Sequence, residues 1–295
     1  MIKDVGELLK ETCYRVFNRT RGLLGTDTGN EKFGVGAGGD ISRKIDLEAE
    51  AAVFEILREY NFKPTIIAEE AGIIEGPDGY LVIDAVDGTT NASRGIPFVC
   101  CSIAYATGVS LSSVQAAAVI DLSSRDLYYA KYRMGSYRND TIIRVNKSIK
   151  NMESSEVGDI MLGLNLSNSD PRSIGRLLKI VSTCKHIRQF GANALELCYL
   201  ANGLLDAYID IRGKIRITDI AAAYLVVKEA GGKMYGPDGL ELGSALTSRD
   251  RISFVAVSDH RLFSHLASNI VKPWGMATET RDKTPGPGFE PGSKE

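Results

Sequence analysis

"LVIDAVDGTTNASRGIPF", residues 81–98, runs from an apolar stretch into two carboxylates, Asp84 and Asp87, and then into a Gly-Thr-Thr turn. A short apolar run bounded by turn residues reads as a buried strand. The turn behind it offers free backbone N–H groups and hydroxyls, and a helix starting there would cradle a phosphate. Strand ends closed by carboxylates recur along the chain. "TIIAEE" finishes on Glu69 and Glu70, and in "IRITDIAAAYLVVKEAGG" Asp219 stands where a strand gives way to a helix. Singly, each has a plain structural reading: Asp219 as a helix cap, Asp87-Gly88 as a turn, Glu69 as a solvated strand end. Together they converge, and carboxylates packed close repel one another strongly at low dielectric. Divalent cations would remove that repulsion. Oxygen donors without His or Cys point to Mg²⁺, with Mn²⁺ as the alternative, rather than to zinc. A carboxylate shared by two such cations is the arrangement used for phosphoryl transfer.

The chain around this constellation has 295 residues, 44% hydrophobic and 24% charged, enough to bury one large core or two coupled ones. A formal net charge of −2 gives no field that would gather nucleic acid or an anionic membrane. An anionic substrate must therefore be held by local groups. The longest apolar runs, at 98–106 and 220–227, fall well short of the roughly 20 residues of a membrane helix. The first twenty residues alternate charged and apolar positions at helical spacing, unlike a signal or transit peptide, and the expected location is the cytoplasm. Cys13, Cys100, Cys101, Cys184 and Cys198 show no ligand spacing and read as reduced packing residues.

Residues 1–24 and 46–60 repeat apolar positions at three and four and predict two amphipathic helices. Between them "GTDTGNEKFGVGAGGD" reads as a mobile loop, either an exposed turn or a segment that closes over a site. It lacks the strand context of a dinucleotide fingerprint. From residue 65 short β-rich runs dominate, which predicts a largely antiparallel sheet backed by the two helices. After residue 150 strands alternate with helical segments beginning near Pro171, Asn193, Asp219 and Asp259, an α/β pattern. The expected division is 1–150 as an N-terminal α+β domain with most of the cation ligands and 151–271 as a C-terminal α/β domain. The boundary is expected in polar "SIKNMESSE" near 148–155. Residues 272–295, rich in Pro and Gly, are expected to be a disordered tail.

These motifs carry a specific resemblance. "AEE", "DAVDGTTN" and "DIAAAYLVVKEAGG" resemble the signature of the inositol monophosphatase and fructose-1,6-bisphosphatase superfamily. "GAGGDISRKID" and "FGANALELCYLANGLLDAYIDIRGK" resemble its archaeal branch, which accepts both fructose bisphosphate and inositol phosphate. The resemblance implies an α+β fold, a layered αβαβα sandwich of the sugar-phosphatase type. It implies an Mg²⁺-dependent phosphomonoesterase acting on sugar phosphates, and a homodimer. Carried over by motif position, Glu69, Asp84 and the carbonyl of Val86 would hold one cation, and Asp84, Asp87 and Asp219 a second. Glu69 would also face a third and, with Thr89, orient the attacking water. The amides of Gly88 and Thr89 would take the phosphate on the loop that Asp87 begins. Arg188, Asn193 and Arg212 would contact the rest of the substrate, and Asp46 would support the active-site loop. Asp40 would reach toward the third cation, or be no more than a solvated loop residue. Ala85 stands where the signature has Pro, and Thr218 where many inositol phosphatases have Trp; neither removes a ligand. Two nearby enzyme readings, a 3′-phosphoadenosine 5′-phosphate phosphatase and an NADP phosphatase, share the cation motifs. From another class, the fold could serve as a non-catalytic binding module; filled ligand positions argue against it.

Overall fold

Asp4 opens the first helix, its side chain accepting from the Gly6 N–H at 2.8 Å. In the computed structural model, which describes residues 4–147, 159–236 and 238–270, this helix is α1 (Val5–Thr20). Strands β1 (Lys32–Val35) and β2 (Ile41–Arg43) follow, then α2 (Lys44–Glu59). Next come β3 (Thr65–Ala68), β4 (Gly72–Ile74), β5 (Tyr80–Asp87), α3 (Thr89–Arg94) and β6 (Cys100–Ala106). β7 (Val114–Asp121), β8 (Leu127–Lys131), β9 (Gly135–Arg138) and β10 (Thr141–Ile143) complete the first half. The second half runs β11 (Met161–Leu164), α4 (Pro171–Thr183), β12 (His186–Arg188), α5 (Asn193–Ala201), β13 (Ala207–Ile215) and α6 (Ala221–Glu229). It ends with β14 (Lys233–Tyr235), β15 (Ile252–Val257) and α7 (His260–Ile270).

Eight strands form one sheet in the order β10-β9-β8-β7-β6-β5-β3-β4. It is antiparallel except for β3 against β5. A second, five-stranded sheet, β12-β11-β13-β15-β14, is mixed: β11 runs parallel to β12 and β13, while β15 is antiparallel to its neighbours.

Side-chain alternation assigns the faces. Leu81 and Ile83 of β5 pack with Leu9, Val16, Val53 and Ile56 of α1 and α2. Val82, between them, joins the opposite core with Leu195, Leu197, Leu225 and Val226 of α5 and α6. The first sheet is therefore backed by α1 and α2 on one face only; helices from the other half cover the second face. The same two helices also pack on Tyr208, Ile215 and Phe254 of the five-stranded sheet. Ala221–Val227 are buried without exception, as a helix between two sheets must be. Beyond that sheet, Leu177 and Ile180 of α4 and Leu262 and Leu266 of α7 close the outer layer. Five layers result, helix, sheet, helix, sheet, helix, with one core shared across the middle.

The glycine-rich stretch is a correction to the loop expected there. From Lys32 onward it belongs to a hairpin over residues 32–43, with Lys32 paired to Arg43 and Val35 to Ile41. All five cysteines are free thiols, and four are buried. The boundary expected at 148–155 and the tail at 272–295 lie outside the described residues. Among the described residues no helix is long and apolar enough to cross a membrane.

Candidate active site

Residues three apart on a regular strand point to opposite faces. Asp84 pairs with Ser102 and Asp87 with Cys100, so β5 carries one residue more than β6 between these pairs. That bulge turns both carboxylates into one cavity. Gly88 then leaves the strand at φ 95°, the left-handed region open to glycine, and α3 starts at Thr89. Glu69 arrives from the end of β3, which is hydrogen-bonded in parallel to β5, and Asp219 from the turn before α6. Glu69, Asp84 and Asp219 each place an oxygen within 4.8 Å of the others.

Burial dominates the electrostatics. It pushes Glu69 up to about 8, with Asp219 adding to the shift and Arg216 opposing it. Asp84 and Asp87 are driven well upward, first by burial and then by neighbouring carboxylates. Asp219 is raised by burial against the Arg216 N–H, which donates to its Oδ2 at 2.9 Å. Asp87 lies outside the trio, and its Oδ2 accepts from the Ala194 N–H at 2.6 Å, in the first turn of α5. Hard oxygen donors, buried together and each destabilised as an anion, fit a divalent cation of the Mg²⁺ or Mn²⁺ kind.

The cavity, about 480 Å³, brings most of the expected residues together. Asp46, Val86, Gly88, Thr89 and Asn193 line it with the acidic residues. The Val86 carbonyl accepts from Thr89 Oγ1 at 3.1 Å. Asn193 Oδ1 accepts from the Tyr208 hydroxyl at 2.5 Å, and the N-cap of α5 is Ala192 instead. Asp46 accepts from the Arg43 N–H at 2.8 Å to start α2. Its Oδ1 is buried without a partner, and burial pushes the group up to about 7. Arg188 and Arg212 do not reach the cavity wall. Arg188 is exposed and bonds the Ile187 carbonyl, while Arg212 forks onto Asp210, which is fully buried.

Three residues escaped the sequence reading. Arg216 lines the cavity and donates to Glu69 Oε1 at 2.6 Å. Ser42 donates to Glu70, fixing the second carboxylate of the β3 end. Glu196 is fully buried, and its Oε1 accepts from the Gly191 N–H at 3.0 Å, ordering the turn that presents the first amides of α5. A lone Glu inside "ANALELCYLA" was the available signal for it.

A pH dependence follows. Glu69 is held at about 8, and Asp46 and Glu196 at about 7, all above the ordinary carboxyl value near 4. Values raised in the fold mean that stabilisation is fully present below the unfolded pKa and is lost as pH climbs through the folded one. With chelator present, thermal melts should show Tm falling between about pH 5 and 8, and added Mg²⁺ should offset the Glu69 share. A Tm that rises over that interval contradicts the assignment.

Residues 3–271 match the inositol monophosphatase family. The fructose-1,6-bisphosphatase/inositol-1-monophosphatase of Methanothermobacter thermautotrophicus is 32% identical over 260 residues, 84% of this chain and 90% of that protein. A bifunctional NADP phosphatase/NAD kinase of Methanococcus maripaludis is 29% identical over 87% of this chain and 47% of its own length. Among solved structures, an inositol monophosphatase-fructose 1,6-bisphosphatase superposes with a TM-score of 0.79 at 25% identity, covering 91% of this chain and 100% of that one.

Proposed function

Because this chain belongs to the inositol monophosphatase family, whose members are metal-dependent phosphatases, we propose that it hydrolyses sugar phosphates, fructose 1,6-bisphosphate and inositol 1-phosphate foremost, with Mg²⁺. The observation that carries this reading is the convergence of Glu69, Asp84 and Asp219 within 4.8 Å, in the same cavity as the Gly88–Thr90 turn. A bound divalent cation would supply a water of lowered pKa and charge stabilisation for the leaving oxygen. Glu69, Asp84 and the Val86 carbonyl would hold a first cation, and Asp84, Asp87 and Asp219 a second. The α5 amide at Ala194 fixes the Asp87 carboxylate, so that its other oxygen is presented in one orientation. Glu69 and Thr89 orient the water. The amides of Gly88 and Thr89 bind the phosphate as it gains charge. Asp46 steadies the start of α2 beside the cavity. Asn193 is assigned to the substrate inside the cavity, and Arg188 and Arg212, which lie outside its wall, to whatever part of the substrate projects from it. The reading carries with it a cytoplasmic homodimer, which light scattering on the purified chain tests for assembly.

The relative named as an NADP phosphatase gives a second reading, removal of a phosphate from a nucleotide. Turnover of fructose 1,6-bisphosphate, inositol 1-phosphate, 3′-phosphoadenosine 5′-phosphate and NADP separates the two. Preference for the first pair supports the sugar-phosphate reading, and preference for a nucleotide replaces it. Arg188→Ala is the cleaner probe of the distal contacts, since Arg212→Ala would strand Asp210 buried and unpaired at a cost of about 3 kcal/mol or more. Arg188→Ala should raise KM for the bisphosphate about tenfold with kcat little changed, the loss of one charge-assisted hydrogen bond. Equal effects on all four esters would remove Arg188 from the substrate site.

A further inference from the structure

Arg216 sits where three segments meet. Its Nη1 donates to Glu69 Oε1 at 2.6 Å. Nη2 donates to the Gly38 carbonyl at 2.9 Å and to Asp40 Oδ2. Its backbone N–H, at the other end of the residue, donates to Asp219 Oδ2 at 2.9 Å. One residue thus touches two of the trio's three carboxylates and the tip of the β1–β2 hairpin. The tip is also seated by main-chain bonds, Gly38 N–H to the Glu69 carbonyl at 2.8 Å and Ala37 N–H to the Glu70 carbonyl at 3.0 Å. A Cβ at Gly38 would stand 3.0 Å from Glu69 Cγ and 3.4 Å from the Arg216 guanidinium carbon, so the approach is as close as glycine permits.

We propose that Arg216 is a positioning residue that clasps the hairpin tip onto Glu69 and sets that carboxylate for the cation. The guanidinium holds Glu69 Oε1 and so fixes the orientation of the carboxylate that belongs to the trio. A carboxylate on a flexible stem loses rotamer entropy when it binds a cation, and an arginine that has already fixed it lowers that loss. The planar fork matters as much as the charge. Glu69, Gly38 and Asp40 are reached from two nitrogens of one rigid group, which a lysine ammonium on its flexible stem does not reproduce. The opposite physical outcome is explicit: if charge alone decided, a cation at 2.6 Å from Glu69 would compete with the metal, and its removal would tighten metal binding.

The inference rests on the trio as the cation site, and the test separates the two. Metal-free wild type, Arg216→Ala and Arg216→Lys are titrated with Mn²⁺ by calorimetry, and exchange of the Ala37 and Gly38 amides is followed by mass spectrometry. Wild type that binds no Mn²⁺ overturns the trio itself. If wild type binds, Arg216→Ala should bind about tenfold more weakly and expose the tip amides to exchange, with Arg216→Lys failing to restore either. Unchanged or tighter binding in Arg216→Ala overturns the positioning role, as does full rescue by lysine. Asp40→Ala, which removes one of the two tip contacts of Nη2 and keeps those to the Gly38 carbonyl and to Glu69, should speed tip exchange while leaving Mn²⁺ affinity within about threefold; an Mn²⁺ loss as large as that of Arg216→Ala would move the role to Asp40.

Discussion

Asp84→Asn should give a folded protein whose Mg²⁺-dependent phosphate release falls by more than about a hundredfold, beyond the range typical of residues that only support a ligand. Asp84 is almost wholly buried and belongs to the trio of mutually close carboxylates. Its charge is the one the proposal shares between two cations. Asparagine keeps the shape and loses that charge. In the absence of metal the same change removes repulsion against Glu69 and Asp87, the neighbours that help drive Asp84 upward. The chelated variant should therefore melt at or above the chelated wild type, while its stabilisation by Mg²⁺ shrinks. Activity assays paired with melts check both halves. A variant that keeps near wild-type turnover removes Asp84 from the site, and one that is unfolded without metal contradicts the repulsion argument.

Gly88→Ala should lose activity by about a hundredfold and stability by about 1–3 kcal/mol, from the strain of a side chain at positive φ. Gly88 has φ 95°, and a Cβ there would stand 3.0 Å from the Phe98 carbonyl and 3.2 Å from Ala192. Neither contact is the free end of a flexible side chain. Relief requires β5 and the turn before α5 to part, and Asp87, bonded across that junction to the Ala194 amide, would move with them. Kinetics at saturating Mg²⁺ together with chemical denaturation measure the two losses. A Gly88→Ala protein with normal kcat would show that the amide geometry of this turn does not serve the phosphate.

The sequence was legible where one periodicity ruled. The helical segment expected from near Asp219 is α6, and the apolar run at 81–83, expected as a buried strand, is the part of β5 whose side chains enter both cores. Glu69, Asp84 and Asp219 each had a plain structural reading and could be named only because carboxylates recur at several strand ends and stand in motifs that resemble one family's signature. The bulge that aims Asp84 and Asp87 together leaves no mark in composition, since its extra residue is counted only against β6. The hairpin at 32–43 was hidden for a different reason. Its strands are largely exposed and carry little apolar pattern, and its glycines serve a close approach: a Cβ at Gly36 would meet the Glu70 carboxylate at 2.0 Å. Arg216 was out of reach because its partner Glu69 lies 147 residues away, and an arginine in "KIRITD" has no local feature to set it apart. Arg188 and Arg212, placed at the substrate by resemblance, lie outside the cavity wall, where they could meet only a part of the substrate that projects from it.

If buried carboxylates on converging strand ends make a cation-dependent phosphatase, turnover must follow the cation. The measurement that tests it most directly is inorganic phosphate released from inositol 1-phosphate and fructose 1,6-bisphosphate by the purified chain, first stripped with chelator and then resupplied with Mg²⁺. No release from the stripped protein and recovery of turnover as Mg²⁺ is restored are the expected results. Equal release with and without the cation would contradict that dependence.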